Sequence, residues 1–409
     1  MRTLIVSDLH LGSKSRSDVL RLAHVRAALI DALRDVDRLV LLGDVIELRH
    51  GPRASALRAA GPVLQELGAA MAGKQIVLLA GNHDHALIEG WLEHRAETDE
   101  QTPLGPQQLL APNDASPLAR TLAQWLAPAE VSIAYPGFWV REDVYAIHGN
   151  YLDCHMTVPT IERLAIATMS KVLGRPASEF ASVEDYEAVI GPVYAWIDAV
   201  AAAGSGGSAG SALNGKTTMR MWRVLDSEGA SAGSARAGTA ATAAAAKLAT
   251  PGSATNGSPA RAWAVGARRR LARQAVRRGF PLAVAALNRA GIGPVKPNVS
   301  GPELRRAALL AMGEVAERLD LRAEHLVFGH THRTGPLPGD SESEWRPSGG
   351  MRLFNCGSWV HTPGFVTSDP GGGPYWPGSC VVVEDGVPPA PPEVRRLLAS
   401  FSQADLVAS

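Results

Sequence analysis

The chain has 409 residues, with 40 basic and 40 acidic side chains and no formal net charge, so its overall field favours neither nucleic acids nor anionic membranes. Its three cysteines are odd in number and far apart, which does not fit a disulfide framework and suits a reducing cytoplasm. The N-terminal apolar run is too short for a signal peptide, and no stretch approaches the roughly 20 apolar residues that span a bilayer, so a cytoplasmic protein is expected.

The first part of the chain alternates between apolar strands and amphipathic helices. Continuous apolar runs predict the strands, and apolar residues at helical spacing predict the helices. In chain order the predicted elements are a strand at 3–7, a helix at 18–34, a strand at 39–42, a helix at 54–72 and a strand at 76–80. Because the strands are apolar throughout, we expect a parallel sheet that is covered on both faces.

Further strands are predicted in two later blocks. Three short apolar runs, at 131–135, 138–140 and 144–148, indicate strands joined by turns. After a long interruption, the pattern resumes with a helix at 302–320 and strands at 326–329, 352–356 and 380–384. Beyond residue 385 the sequence indicates a Pro-rich tail with a short amphipathic end.

The interruption between these blocks has a different character. Residues 156–203 are expected to form two helices separated near Gly174 and Pro176. Residues 204–260 are rich in Gly, Ser, Ala and Thr, and we predict disorder because they have few apolar anchors to offset the entropy of ordering. Residues 261–290 are basic with helical spacing, and eight arginines between 261 and 289 occur without an acidic residue.

Five of the predicted strands end in short polar motifs. Asn, Asp and His in any one motif could reflect turn chemistry alone, but that explanation does not predict the other motifs. Since ligands of open α/β sheets bind at the carboxyl ends of strands, the motifs are expected to converge on one crevice. They are Asp8-Leu9-His10, Gly43-Asp44, Gly81-Asn82-His83-Asp84, His148-Gly149-Asn150 and Gly329-His330-Thr331-His332.

The residue types in these motifs fit a site for two metal ions. Alternate residues of an extended segment share a face, so Asp8 and His10 are expected to present a carboxylate and an imidazole together, and His330 and His332 two imidazoles. Asp44 has two carboxylate oxygens and can bridge two cations. A mixture of imidazole and carboxylate ligands suits Mn, Fe or Zn better than Mg or Ca.

The order and content of the motifs resemble those of the calcineurin-like metallophosphoesterase family. The resemblance covers residues 1–154 and roughly 300–385. It implies an α/β fold, a four-layer α/β/β/α sandwich with a helical insertion. The core would then comprise 1–155 and 300–387, with a helical cap at 156–299 that includes the disordered 204–260, and a C-terminal tail at 388–409. The matching residues are D-L-H (8–10), G-D (43–44), G-N-H-D (81–84), H-G (148–149), G-H-T-H (329–332) and N-C-G-S (355–358).

The resemblance also implies a role for each residue of the motifs. The expected cofactors are two divalent transition metal ions per chain, Mn first, with Fe and Zn as alternatives. A hydroxide between the two ions would attack phosphorus in line. His83, oriented by Asp84, would contact the phosphoryl oxygen or donate a proton to the leaving group. One ion would be held by Asp8, His10, Asp44 and His332, and the other by Asp44, Asn82, His148 and His330.

Neighbouring residues favour one branch of that family. G-D-V-I-E (43–47) and H-G-N-Y-L-D (148–153) resemble the UDP-2,3-diacylglucosamine pyrophosphatase-like branch. That branch commonly has Arg in place of His83 and Asp in place of Asn150, so its substrate is not transferred to this chain. Asn150 and His155 are candidate substrate-binding residues, although a His at the start of a helix is equally well explained as a surface residue.

The leading hypothesis is a metal-dependent hydrolase of phosphomonoesters, phosphodiesters or pyrophosphates. A catalytically silent scaffold is an alternative from another class, but such relatives usually lose ligands and none of the seven expected ligands is missing. A DNA or RNA nuclease would need aromatic residues beside a basic track, and the segment 261–289 offers only Trp263. Nucleic acid is therefore not the expected partner. This segment combines arginines with an apolar stripe, and two interpretations are open. It is a solvated basic helix beside the disordered loop, or it contacts an anionic membrane surface or a lipid-linked phosphoester, which would place the protein peripherally on the inner face of the membrane.

Overall fold

The computed structural model describes residues 1–49, 51–98, 102–203, 285–296, 298, 300–347, 350–367 and 369–407. The predicted disordered segment 204–260 and the greater part of the Arg-rich segment 261–289 lie outside the described residues. Predictions about those two segments therefore stay predictions. None of the helices that the structure describes combines the length and the apolar character needed to cross a membrane.

The described strands form one mixed sheet system. Their order is β11-β10-β1-β2-β3-β5-β6-β7-β9-β8, and β4 pairs with β5 outside this path. Pairing is parallel from β1 through β3 to β5 and again from β6 through β7 to β9. The strands are β1 (Arg2–Val6), β2 (Arg38–Leu42), β3 (Gln75–Leu79), β4 (Gln107–Leu110), β5 (Glu130–Arg141), β6 (Val144–Ile147), β7 (His325–Phe328), β8 (Thr334–Gly335), β9 (Arg352–Cys356), β10 (Ser379–Glu384) and β11 (Glu393–Arg396).

Strand β5 connects two sheets. Its first half pairs with β3, from Glu130 to Ala134, and its second half pairs antiparallel with β6, from Gly137 onward. The sequence predicts separate strands at 131–135 and 138–140, and this prediction is wrong. Pro136 and Gly137 give a turn signal in the sequence, but in the structure they mark the place where one continuous strand passes between the sheets.

The two sheets face each other across a small apolar core, and their outer faces pack in a larger core with the helices. Successive residues of a strand point to opposite faces, so Ile5 lies in the inner core while Leu4 and Val6 lie in the outer one. This arrangement confirms the predicted layered α/β fold. The inner core consists of Ile5, Val40, Leu42, Val77, Leu79, Ala134, Val381 and Val383 from one sheet and Phe138, Val140, Val144, Ala146, Val327, Phe354 and Cys356 from the other.

The helices of the described chain flank these sheets. The predicted helix at 18–34 is shorter than expected, since a 3-10 turn at Val19–Arg21 and an extended Leu22 precede the first helix. The predicted break near Gly174 is confirmed, because this glycine ends a helix in a left-handed conformation. The helices are α1 (Ala23–Ala32), α2 (Arg53–Ala70), α3 (Glu89–Glu97), α4 (Pro112–Ala115), α5 (Pro117–Trp125), α6 (Ile161–Leu173), α7 (Val183–Ala203) and α8 (Gly301–Arg318).

The C-terminal residues extend the sheet. Strand β11 pairs antiparallel with β10, with Ser379 opposite Arg396 and Val382 opposite Glu393. The prediction of a tail over 388–409 is therefore wrong for this part of it. Edge strands are commonly rich in charged residues, and β11 reads Glu-Val-Arg-Arg, which gives no apolar run that sequence analysis could detect.

Candidate metal centre

The polar motifs converge at the carboxyl ends of β1, β2, β3, β6 and β7. One group of ligand atoms comes from Asp8, His10 and His332. Nε2 of His332 lies 3.2 Å from Oδ1 of Asp8 and 3.1 Å from Nε2 of His10. These spacings leave the three groups aimed at a common point, as the ligands of a single cation would be.

A second group lies on the other side of Asp44. Nε2 of His148 is 3.6 Å from Oδ2 of Asp44 and 3.2 Å from Oδ1 of Asn82. Nδ1 of His330 is 3.0 Å from the same oxygen of Asn82. Oδ2 of Asp44 is also 3.5 Å from Nε2 of His10, so this carboxylate lies between the two groups.

Two features of these side chains fit a bound cation. Oδ1 of Asp8 is buried and accepts no hydrogen bond from a described residue, which suits an oxygen that binds a metal. The amide oxygen of Asn82 faces His148 and His330, whereas the opposite orientation would place it 3.1 Å from Nη1 of Arg49. A cation held between these groups would require the first orientation, because the oxygen of an amide binds metals and its NH₂ group does not.

Left-handed backbone conformations aim the ligands. The described non-glycine residues with positive φ number seven, and five of them are candidate ligands. The expectation that the D-x-H and H-x-H motifs are extended is therefore wrong, because bends direct both side chains of each motif to the centre. Each left-handed residue costs roughly 1–2 kcal/mol, and such strain concentrates at functional sites. The five are Asp8 (56°), His10 (44°), Asp44 (52°), His330 (65°) and His332 (58°).

Glycines in two motifs allow the loops to approach closely. A Cβ at Gly81 would collide with the carboxylate of Asp44, and one at Gly329 would collide with Ser7 and Asp8. The backbone of each motif therefore passes directly against a ligand of another motif. Larger residues at these positions would separate the ligand loops.

In three candidate ligand histidines, the ring nitrogen that points away from the centre hydrogen-bonds with a carboxylate or a backbone carbonyl. Nδ1 of His10 lies 3.1 Å from Glu47, and Nδ1 of His148 donates to the carbonyl of Leu42 at 2.8 Å. Nε2 of His330 lies 2.9 Å from Asp153. Such partners fix the ring orientation and the tautomer of metal-binding histidines. Sequence analysis assigned no role to Glu47 or Asp153, although both lie within the motif stretches 43–47 and 148–153.

Glu47, not Asp84, orients the candidate catalytic histidine. Nδ1 of His83 lies 2.9 Å from Oε1 of Glu47. The predicted role of Asp84 is wrong, because its carboxylate accepts backbone N–H groups instead of the ring. These donors are Gly81 (2.7 Å), Asp44 (3.2 Å), Val45 (2.7 Å) and Ile46 (3.3 Å).

Burial and neighbouring charges shift the pKa values of the candidate site residues in different directions. Burial opposes ionisation of Asp8, but His332 and His10 hold its pKa well below the ordinary value. Burial likewise opposes protonation of His148, yet Asp44 raises its pKa to about 9. His83 differs, because burial outweighs its acidic neighbours and lowers its pKa to about 4. Without a cation, a proton therefore occupies the imidazole of His148 near pH 7, whereas His83 is neutral.

A cavity of about 250 Å³ opens beside the centre. Neither Asn150 nor His155 is among the described residues that line it. Nδ2 of Asn150 donates to the Tyr194 hydroxyl on α7, and Nε2 of His155 hydrogen-bonds with the Tyr186 hydroxyl at 2.7 Å. Both side chains therefore contact tyrosines of α7, and their role in substrate binding stays a prediction. Residues around the cavity include Asp44, Asn82, His83, Leu152, Met156, Glu162, Leu304, Arg305, Leu309, Phe328, His330, His332, Arg333 and Trp345.

Comparison with known proteins relates the first part of the chain to one family. The family model that matches describes a calcineurin-like phosphoesterase and covers residues 1–181. Residues 1–181, less than half of the chain, are therefore similar to calcineurin-like phosphoesterases. No curated protein matches the sequence.

The residues that match the family model include the candidate ligands from Asp8 to His148, while the fold adds His330 and His332 from a later part of the chain. The family implies a metal-dependent phosphoester hydrolase, and the candidate ligand groups agree with the divalent metals that its members usually bind. The match does not distinguish branches of the family, so the UDP-2,3-diacylglucosamine pyrophosphatase-like assignment stays a prediction.

Proposed function

We propose that the chain hydrolyses a phosphoester with a centre of two divalent metal ions. The observation that carries this proposal is the position of Asp44, whose carboxylate lies between the Asp8–His10–His332 group and the Asn82–His148–His330 group. Each ion would have three ligands of its own and would share Asp44. Such a centre supplies a nucleophilic hydroxide and neutralises the phosphoryl oxygens.

The remaining groups of the site act on the substrate. His83 borders the cavity, and its backbone N–H donates to Oδ1 of Asp44 at 2.7 Å, which joins this residue to the centre. Glu47 holds the imidazole in one orientation. Because His83 is neutral near pH 7, it must acquire a proton when the anionic phosphoester binds in order to protonate a leaving group.

The cavity favours a small phosphoester over a nucleic acid strand. Its walls beyond the centre are mainly apolar, and its two arginines are already paired. Arg305 contacts Glu344 at 2.6 Å, and Arg333 contacts Asp340 at 2.6 Å. A nuclease would need unpaired cations to follow a phosphate backbone. A silent scaffold is disfavoured because the ligand set converges completely.

The identity of the metal, the membrane contact and the extent of the cap are further proposals. Mn as the preferred ion, with Fe and Zn as alternatives, rests on the ligand types alone. Binding of an anionic membrane surface or a lipid-linked phosphoester by the segment 261–289, and with it a cytoplasmic, peripheral location, stays a prediction. The helical cap over 156–299 is likewise a proposal for the part beyond residue 203.

A substrate panel with added Mn tests the proposed activity. It should contain nitrophenyl phosphate mono- and diesters, a nucleoside diphosphate sugar, a cyclic nucleotide and single-stranded DNA. We expect hydrolysis of at least one small phosphoester, loss of that activity with EDTA and its recovery with Mn. The matched control is Asp44→Asn, which preserves the size of the side chain. Equal hydrolysis by this variant, or activity unaffected by EDTA, would contradict a metal-dependent reaction at this centre.

A further inference from the structure

Helix α7 presents two polar side chains to the loops that carry ligands. Glu187 and Tyr194 are seven residues apart, which places them on one face of the helix two turns from each other. Both contact side chains in loops that follow strands of the sheet. This helix begins just beyond the residues that match the family model.

Glu187 joins three segments of the core. Its Oε2 accepts from Nε2 of His85 at 3.2 Å, and its Oε1 accepts from the hydroxyls of Tyr151, at 3.0 Å, and Tyr135. His85 follows the G-N-H-D motif directly, and Tyr151 lies in the 3-10 turn after the H-G motif. A largely buried carboxylate is costly unless donors surround it, so its three partners and the helix hold each other in place.

Tyr194 continues the same line of contacts. Its hydroxyl accepts from Nδ2 of Asn150 at 3.1 Å. Its ring lies under the guanidinium of Arg49, with 4.5 Å from the Arg49 Cζ to the ring centroid, and it meets the ring of His85 edge-on at 5.4 Å. Stacking of this kind restrains an arginine that is buried beside an aromatic face.

The loops that α7 contacts belong to one of the two ligand groups. Asn82 lies three residues before His85, and His148 lies two residues before Asn150. The partner of His330 is Asp153, which belongs to the same 3-10 turn as Tyr151. In the part of the chain that the structure describes, no hydrogen bond joins α7 directly to the loops after β1 or β7, which carry Asp8, His10 and His332. His330 also lies in the loop after β7, and its link to α7 is the indirect one through Asp153.

We infer that α7 is a positioning element for one metal ion of the pair, with Glu187 and Tyr194 fixing the loops of Asn82 and His148. This inference rests on the proposed two-metal function. The helix is then an integral part of the centre and not a detachable cover. Loosening these contacts increases the spread of positions of Asn82, His148 and His330, and leaves the ligands of the other ion in place.

Binding of Mn alone tests the inference, with the full-length chain titrated in the absence of substrate. The variants are Glu187→Gln, which keeps the shape of the side chain and removes its charge, and Tyr194→Phe, which keeps the ring and removes the hydroxyl. Glu179→Gln is the matched control, since Glu179 is an exposed acid just before α7. Thermal unfolding of each variant without metal is measured alongside.

We expect Glu187→Gln to lower the affinity for one Mn ion by about 10-fold, the lower end of the loss seen for outer-sphere partners. The affinity for the other ion should stay within about 2-fold of that of the unaltered chain. Turnover at limiting Mn falls and recovers with excess Mn, while Glu179→Gln behaves as the unaltered chain. An equal loss of affinity for both ions would overturn the positioning role. So would unchanged affinities accompanied only by a lower unfolding temperature.

Asn82→Ala separates failure of this inference from failure of the proposed function. It should remove the same ion that Glu187→Gln weakens. If the unaltered chain binds a single ion, the two-metal function is wrong and the inference falls with it. If the unaltered chain binds two ions and both Glu187→Gln and Tyr194→Phe bind them as tightly, only the positioning role is wrong.

Discussion

The carboxylate of Glu47 contacts His10 with one oxygen and His83 with the other, at 3.1 and 2.9 Å. One side chain therefore orients both a candidate metal ligand and the candidate catalytic histidine. Asp84, which adjoins His83 in the sequence, instead fastens the loops after β2 and β3 through their backbone amides. The two acids have separable functions, one in the chemistry and one in the loop architecture.

Substitution of these acids should have contrasting effects. Glu47→Gln should lower Mn affinity or turnover by about 10- to 100-fold, as expected for an outer-sphere partner, with little change in unfolding temperature. Asp84→Asn should lower stability more, because each buried amide left without an acceptor costs about 1–3 kcal/mol. Chemical denaturation and steady-state kinetics of both variants check this contrast. The reverse pattern would show that Asp84 has the chemical role.

Removal of the His83 ring should separate catalysis from metal binding. His83→Ala should keep its metal ions and lose about 100- to 10,000-fold in turnover, the usual size of a general-acid contribution. The loss should be smaller for substrates with good leaving groups, which need no proton. Turnover is compared across a series of phenyl phosphates of different phenol pKa. The same loss for every leaving group would indicate electrostatic stabilisation of the transition state instead.

Metal binding should strengthen as the pH rises. The pKa of His148 is raised to about 9 because Asp44 outweighs the effect of burial, so below that pH a cation must displace its proton. The apparent affinity should increase by about 10-fold per pH unit for each proton displaced. Mn titrations at pH 6, 7 and 8 measure the slope. An affinity that does not change with pH would show that the ligand imidazoles are already deprotonated.

A methyl group at Gly329 should disturb the Asp8 group. Gly329→Ala places a Cβ against Ser7 and Asp8, and overpacking of this kind costs about 1–3 kcal/mol. The unfolding temperature and Mn affinity should both fall. Gly301→Ala is the control, since a Cβ at that helix-terminal position meets no atom within 4 Å. Equal behaviour of the two variants would mean that the loop after β7 has more room than its geometry indicates.

The strands that carry the ligands could be predicted because each is a continuous apolar run that ends in polar residues. The same reasoning overlooked α3, which has no buried residue, and β11, whose charged edge has no apolar pattern. It also divided β5 at Pro136, since Pro and Gly give the same signal in a bend as in a turn. These elements are determined by tertiary contacts that local sequence does not contain.

The residue types of the candidate site could be predicted from the sequence, but the directions in which their side chains point could not. The motifs converge as predicted, yet the neighbour of His83 in the chain, Asp84, points to backbone amides. Asn150 and His155 follow a ligand motif, but their side chains contact tyrosines of α7. Sequence proximity to a motif places a backbone near the centre, whereas the direction of the side chain depends on left-handed bends and on helices from elsewhere.

The metal content of the chain tests the central claim most directly. Elemental analysis measures it for the unaltered chain and for Asp44→Asn, after loading with Mn and removal of free ions. Asp44 is the carboxylate between the two ligand groups. The side-chain amide that Asp44→Asn introduces is neutral and bridges two cations less effectively than a carboxylate. We expect two ions per unaltered chain and fewer than two in Asp44→Asn. Two ions retained by the variant would contradict the bridging role on which the proposed centre depends.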